Sequence, residues 1–332
     1  MKKLLLTIIL LAIVASPLQA ATYTRNEIDV DETLADQEAT QYAQPQKILV
    51  TRIQTDSEAL NNSPSEWFKS LYYYSITRLQ YADIPFNYVV DRNGDVYEGR
   101  KGGLGVMPEL ESESGAVLIG YLSNSSDITL NAKSAFETLI EDVSYKYGIT
   151  SDQVETVSLN YLEPGDSRRT AKSTTETLSD TFSENVSKMA STFGFSKVEH
   201  LEYEAEVTAL EYDKSVASGE KVSVSLELVN KNDVAWFTDA EPIYISTADG
   251  QDSQFAVNGV WDSFSKPVSI SDKTVLPGET VKLEFELQAL VLPGKNSETF
   301  NVVRLPDNAF EGSQFKVEFT IEQGDLIGPK AL

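Results

Sequence analysis

The stretch DIPFNYVVDRNGDVYEGR, residues 83–100, decides the fold of the first half of this 332-residue chain. Val89-Val90 and Val96-Tyr97 are β-forming pairs, and Asn93-Gly94 lies between them. An Asn-Gly pair between two such runs is a strong hairpin signal, because both residues tolerate positive φ. The stretch therefore predicts a β-hairpin.

The flanks of this hairpin carry a longer motif. Asp83-Ile84 and Asn87-Tyr88 precede the turn, and Tyr97-Glu98-Gly99-Arg100 follows it. In these positions the chain resembles the central hairpin of the zinc-dependent N-acetylmuramoyl-L-alanine amidases and peptidoglycan recognition proteins. Pro85-Phe86 stands where that family has a glycine and its catalytic tyrosine. The resemblance implies an amidase-like fold and puts catalysis in doubt.

The pattern around the hairpin agrees with an α/β domain over residues 47–195. A short apolar strand begins at Lys47, a helix begins at Ser63-Pro64, and residues 116–122 form a second apolar run of strand length. Apolar residues at helical spacing then continue to Gly148, which is a natural helix stop. This order predicts a mixed sheet flanked by helices. A capping box at residues 173–176 predicts one further helix, ending near Gly194.

The second half of the chain has a different periodicity. From about residue 201, apolar and polar residues alternate in several short runs separated by Pro-Gly and Ser-Gly turns. This alternation predicts an all-β sandwich over residues 205–325, after a linker at 196–204. The spacing from Asn230 to Trp236 resembles bacterial immunoglobulin-like (Ig-like) domains, which implies that Trp236 is buried between the sheets.

Composition and the N-terminal residues indicate an exported protein. The formal net charge of −24 argues against binding a nucleic-acid backbone or an anionic lipid surface. Residues 1–20 have two lysines, an apolar core and a small-residue cleavage site, as in a secretory signal peptide. Residues 21–46 are polar and acidic, which predicts a flexible leader. The chain has no cysteine and therefore no disulfide.

The resemblance also implies where a zinc site would lie. Family members hold zinc through two histidines and a third ligand, and the matching positions here are Thr51, Val157 or Asn160, and Glu163. Alignment favours Val157 over Asn160. Neither threonine nor valine replaces an imidazole, so no metal and no other cofactor is expected. The chain's single histidine is His200, in the predicted linker.

Candidate ligand contacts follow from the same family positions: Arg100, Thr51, Phe86, Met107 and Glu163. Phe86 lacks the hydroxyl of the family's tyrosine, and Met107 replaces a family histidine. Arg100 matches an arginine at the edge of the family's groove, where its guanidinium suits a peptide carboxylate. A structural ion pair, for example with Glu98, is an equal explanation for Arg100.

Other acidic residues do not improve the case for catalysis. Glu109, Glu111 and Glu113 lie near the expected groove rim, but in so acidic a chain a solvated charge run is the expected explanation. The hypothesis is therefore an exported, catalytically inactive amidase-like protein of the cell envelope that binds peptidoglycan, muropeptide or a related surface ligand. The alternatives are a surface protein–protein interaction or scaffold protein, and an active amidase with an atypical metal site.

Overall fold

A computed structural model describes residues 21–36, 40–110, 113–161, 173–192, 203–239, 241–304 and 308–323. The predicted signal peptide, Glu163 and His200 lie outside these residues. No helix of the described part is long and apolar enough to cross a membrane.

The first half of the chain forms a seven-stranded mixed sheet with the strand order β1-β4-β3-β5-β2-β6-β7. Its strands are Thr22–Tyr23 (β1), Lys47–Ile53 (β2), Tyr88–Asp91 (β3), Val96–Glu98 (β4), Ala116–Leu122 (β5), Val154–Tyr161 (β6) and Ser173–Thr177 (β7). The β3–β4 and β6–β7 pairs are antiparallel, and the other pairs are parallel.

Helices cover both faces of this sheet, as the sequence predicted. They are Arg25–Ile28 (α1), Glu58–Asn61 (α2), Pro64–Thr77 (α3), Leu130–Tyr147 (α4) and Thr181–Ala190 (α5). Buried side chains of α3 share one hydrophobic cluster with one face of the sheet, and those of α4 and α5 share a second cluster with the other face. The first half is therefore an α/β unit with a sheet between two helical layers.

The predicted hairpin is the β3–β4 pair. Only Gly94 of the Asn93-Gly94 turn adopts a positive φ, at 91°. The Asp91 carboxylate accepts hydrogen bonds from the backbone N–H groups of Asn93 and Asp95, at 2.8 and 3.0 Å. The turn therefore depends on the Asp91 side chain as well as on the glycine, because the carboxylate accepts hydrogen bonds from two backbone N–H groups of the loop.

Two expectations for this half are wrong. Residues 21–36 do not form a flexible leader: β1 adds to the sheet edge beside β4, and Arg25 is buried against Asp83. Residues 173–176 are not a helix start, because this segment pairs with β6 as a strand. The helix begins instead at Thr181, where the Asp180 carboxylate caps it.

The described part of the second half is all β, as predicted. Its strands are Ala205–Tyr212 (β8), Ser215–Ala217 (β9), Lys221–Asn230 (β10), Trp236–Phe237 (β11), Ile243–Thr247 (β12), Val268–Ile270 (β13), Thr274–Val275 (β14), Thr280–Gln288 (β15), Gly294–Arg304 (β16), Asn308–Ala309 (β17) and Phe315–Glu322 (β18). The two larger sheets follow the orders β15-β10-β8 and β13-β12-β16-β18-β9, with β17 beside β16. Both contribute to one hydrophobic cluster, in which Trp236 is fully buried. The resemblance of the second half to Ig-like domains stays a prediction.

Candidate functional site

Three of the family positions lie on the same face of the first sheet. Thr51 is two residues after Leu49 on β2, so both side chains project toward the α3 face. Phe86 and Val157 belong to the hydrophobic cluster on that face. All three residues are at most 3% exposed. The side chains of Thr51, Phe86 and Val157 therefore share the α3 face of the sheet.

Gly120 lies at the centre of this region, directly opposite Thr51 in the β2–β5 pair. A Cβ atom added to Gly120 would lie 2.5 Å from Ile53 Cδ1 and 3.1 Å from Phe86 Cδ1. The space beside Thr51 is thus already filled by the Phe86 ring and the Ile53 side chain. Side chains of Ile53 and Leu159 are only partly buried at the margin of the same cluster.

The register of β6 distinguishes the two alignments of the second family ligand. Val157 lies in the cluster with Phe86, whereas Asn160 is three residues later on the same strand and is exposed. Side chains on a strand alternate between faces, so an odd spacing puts Asn160 on the opposite face from Val157. Val157 therefore shares the face of Thr51 and Phe86, Asn160 does not, and the choice of Val157 as the matching position stays a prediction.

The zinc ion that the resemblance implies does not fit these residues. Thr51 offers one hydroxyl, while Phe86 and Val157 offer no donor atom, and zinc sites in proteins need nitrogen, sulfur or carboxylate ligands. Among the described residues, no group of three His, Cys, Asp or Glu side chains could hold a metal ion. Glu163, the third position, lies outside the described part of the chain.

Asn87 of the hairpin motif has a structural role. Its amide oxygen accepts a hydrogen bond from the Leu118 N–H at 2.8 Å, and its amide nitrogen donates to the Val106 carbonyl at 2.8 Å. Its own carbonyl accepts from Gly99 N–H at 2.9 Å. Asn87 therefore joins strand β5, the end of the hairpin and the loop after it.

Glycine is required at position 99 because the backbone there lies close to the backbone of Phe86. A Cβ atom there would lie 2.1 Å from the Phe86 carbonyl oxygen, which accepts the Arg100 N–H at 2.7 Å. A side chain at position 99 would therefore separate the two backbone segments.

Asp83, the first residue of the motif, binds the N-terminal segment. Its carboxylate accepts from Arg25 Nη1 at 2.8 Å and from the Lys101 N–H at 3.1 Å. The same Arg25 nitrogen also donates to the Gly99 carbonyl at 2.7 Å. Burial raises the pKa of the nearby Tyr72 hydroxyl to about 12, so this hydroxyl stays protonated and donates to the Asp31 carbonyl.

Arg100 does not lie on an open groove. Its side chain is 3% exposed, and Nη1 donates to Glu109 Oε1 at 2.6 Å. The interpretation of Arg100 as a ligand contact is therefore corrected to a buried ion pair, whose partner is Glu109 rather than Glu98. Glu109 is likewise not part of a solvated charge run, and Glu113 pairs with Lys47.

Met107 lies in the loop that follows the hairpin and is partly exposed. The Met107 N–H donates to the Gln41 carbonyl at 2.8 Å. Tyr42 and Val106 form an isolated antiparallel β-bridge beside this hydrogen bond. Gly105 of this loop contacts the second half of the chain, because a Cβ atom there would lie 2.5 Å from Phe237 Cζ. Neither contact was predictable from the local sequence pattern.

Comparison with protein-family models and with curated protein sequences finds no match. Among solved structures, the chain is similar to Drosophila peptidoglycan recognition protein SD, at 17% identity over 42% of this chain and 82% of that chain, with a TM-score of 0.35. Peptidoglycan recognition protein Hd from Alvinella pompejana shows 17% identity over 42% and 87%, with a TM-score of 0.36. Human PGRP-IBETAC, solved in complex with a glycosamyl muramyl pentapeptide, shows 18% identity over 41% and 83%, with a TM-score of 0.34. The structural neighbours are thus peptidoglycan recognition proteins, over about two fifths of this chain and at low identity.

Proposed function

We propose that this chain is an exported protein of the cell envelope, whose amidase-like unit binds peptidoglycan or a related surface ligand without hydrolysing it. The observation that carries the proposal is the meeting of Thr51, Phe86 and Val157 on one sheet face. The hairpin motif matches the family on both sides of this region, while its centre holds apolar side chains. A retained hairpin motif that lacks the family's zinc-binding histidines and catalytic tyrosine supports binding and not catalysis.

The partly buried side chains at the margin of the cluster supply the binding surface in this proposal. Ile53 and Leu159 offer apolar contact beside the filled centre, and Met107 is a further partly exposed candidate. Thr51 and Phe86 act by filling the site, and Arg100 by holding the loop. Peptidoglycan, muropeptide or another surface glycopeptide is the proposed partner, and the net charge of −24 disfavours nucleic acid.

Cosedimentation of the purified protein with peptidoglycan sacculi tests the proposal. We expect the wild-type protein to sediment with sacculi and to release no stem peptide. The double variant Ile53→Gln, Leu159→Gln should lose most of this binding, because polar groups replace the apolar contacts. The matched control is Leu130→Gln, at a position that is 86% exposed on α4. Equal sedimentation of the double variant and the control would overturn the placement of the groove.

Metal analysis of the same preparation addresses the atypical amidase. One equivalent of tightly held zinc, with peptide release that a chelator abolishes, would replace this proposal by an active enzyme. The alternative to peptidoglycan binding is a surface protein–protein interaction module. Failure to bind sacculi, with the fold intact, would support that alternative.

A further inference from the structure

A cavity of about 470 Å³ lies on the sheet that contains β12, β16 and β17. These three strands form its floor, and the two ends of the loop between β12 and β13 form its wall. We call it the outer cup, and the lining residues that matter below are Ser246, Asp249, Lys266, Asn301, Val303 and Ala309. Its volume falls within the range of about 300–1,000 Å³ that is usual for small-molecule sites.

The strand register places the floor of the outer cup on one face of the sheet. Ser246 lies directly opposite Asn301, and Val303 lies directly opposite Ala309. Directly opposite residues share a face, and so do residues two apart along a strand, so all four side chains project to the same side. Val302, which lies between Asn301 and Val303 on β16, belongs to the core of the sandwich. The cup is therefore on the outer face.

The Ser246 hydroxyl is the feature of the outer cup that points to a ligand. Ser246 is only 5% exposed, and its side chain lines the cup. Within the part of the chain that the structure describes, this hydroxyl has no hydrogen-bond partner. A buried hydroxyl that makes no hydrogen bond carries a desolvation penalty. Its partner must come from the molecule that occupies the cup.

The other lining groups are polar but balanced in charge. Asn301 Oδ1 accepts from Gln314 Nε2 at 3.2 Å, while the Asn301 amide nitrogen has no partner among the described residues. Val303, at 6% exposed, adds apolar surface to the floor. Lys266 and Asp249 are the charged residues of the described lining, one of each sign. The cup therefore offers hydrogen bonds and an apolar floor without a net charge.

We propose that the outer cup binds one sugar unit of a neutral saccharide. Sugar hydroxyls both donate and accept hydrogen bonds, and so does the Ser246 hydroxyl, while the Asn301 amide nitrogen donates. The apolar C–H face of a pyranose ring packs on Val303. The cup is lined by residues of the second half of the chain only, so the inference is independent of the function proposed for the first half.

Ligand-observed NMR titration of the purified full chain with neutral disaccharides tests the proposal. The probes are maltose, cellobiose, lactose and N,N′-diacetylchitobiose, and glycine and inorganic phosphate are the charged competitors. We expect at least one disaccharide to bind saturably, with an affinity that does not change with ionic strength, because a neutral ligand is not screened by salt. Failure of all four to bind would overturn the proposal. Displacement of the bound disaccharide by glycine or phosphate would also overturn it, by assigning the cup to a charged ligand.

Two variants with a matched control locate the site. Ser246→Ala and Asn301→Ala should each weaken disaccharide binding roughly tenfold, as expected for one lost hydrogen bond. Ser246→Ala should not lower the free energy of unfolding, because the hydroxyl that it removes has no partner in the described protein. The control is Ser223→Ala, the same change at an exposed position of β10 in the other sheet, and it should bind like the wild type.

Ala309→Trp supplies a further test at an exposed position, where the fold is expected to tolerate the change. Its indole should fill the outer cup and abolish disaccharide binding. Wild-type affinity in Ser246→Ala and Ala309→Trp, or an equal loss of affinity in Ser246→Ala and Ser223→Ala, would contradict the assignment of the saccharide to this cup.

Discussion

Arg100 and Glu109 are both buried, and the 2.6 Å hydrogen bond between them joins the end of the hairpin to the following loop. Replacing Arg100 by methionine leaves the Glu109 carboxylate buried without its partner, which costs about 3–5 kcal/mol in comparable sites. We expect Arg100→Met to lower the free energy of unfolding by this amount in urea denaturation.

The double variant Arg100→Met, Glu109→Gln is the control, because it removes the uncompensated charge and should recover part of the loss. An unchanged free energy of unfolding in Arg100→Met, together with lost ligand binding, would restore the original interpretation of Arg100 as a ligand contact.

The positions that match the family's zinc ligands offer a second test at the scale of single residues. The set Thr51→His, Phe86→Tyr, Val157→His, Glu163→Cys should introduce zinc binding, since the first three positions already share one face. Replacing Val157→His by Asn160→His in this set should bind no zinc, because Asn160 projects to the other face. Zinc must lie about 2.0–2.3 Å from each ligand, so metal analysis tests the alignment directly. Zinc binding by the Asn160→His set alone would show that the assigned face is wrong.

The motif around the hairpin led to three residues that share one face of the sheet, and their role as a ligand site stays a prediction. The motif predicted that Thr51, Phe86 and Val157 share a region, because family positions carry three-dimensional information. It did not predict that Arg100 is buried, since its partner Glu109 lies in a loop without any periodic pattern. A buried ion pair depends on which side chains the completed fold encloses, and local sequence does not show this.

At the scale of elements, the N-terminal segment is the largest departure from expectation. Arg25 of α1 is 3% exposed and binds Asp83 and the Gly99 carbonyl. We expect Arg25→Met to destabilise the first half of the chain by about 3–5 kcal/mol, because Asp83 then stays buried without its cation. Lys69→Met is the control, since Lys69 pairs with an exposed Glu66 and should cost less than about 1 kcal/mol. Equal urea midpoints for the two variants would support the original prediction of a flexible leader.

Elements with strong local patterns were predictable, and those fixed by distant partners were not. Helix α3 begins at Pro64, and α4 ends at Tyr147 with Gly148 as its left-handed cap, as the proline and the glycine predicted. β1 is only two residues long, and its place depends on the exposed edge of β4. Likewise Ser173–Thr177 satisfies a helix-start pattern but forms a strand, because pairing with β6 outweighs the local preference.

The sandwich core provides a prediction at the same scale. Trp236 is fully buried, and its indole N–H donates to Asn232 at 2.9 Å. Trp236→Ala should lower the free energy of unfolding of the second half by about 3–5 kcal/mol, through lost burial and the cavity that remains. Val291→Ala, at a position that is 81% exposed, is the control and should change it little. A denaturation midpoint that stays at the wild-type value in Trp236→Ala would contradict the burial of the indole.

At the scale of the whole molecule, the two halves of the chain touch at specific residues. Lys146 at the end of α4 pairs with Asp233 at 2.7 Å, and Phe237 lies against Gly105. Phe237 is 3% exposed, so it is covered although it belongs to the two-residue strand β11. The loop after the hairpin is therefore supported from both halves, by Asn87 on one side and by Phe237 on the other.

Gly105 and its neighbour Gly103 allow this contact to be tested. Both have positive φ, at 93° and 72°, so alanine is strained at either position. Only at Gly105 would the new Cβ meet another group, since nothing lies within 4 Å at Gly103. We expect Gly105→Ala to cost about 1–3 kcal/mol more than Gly103→Ala in the free energy of unfolding, because the methyl group displaces the Phe237 ring. Adding Phe237→Ala to each variant completes two double-mutant cycles, and only the cycle with Gly105→Ala should be non-additive, by about 0.5–3 kcal/mol. Additive changes in both cycles would mean that the two halves of the chain are energetically independent at this contact.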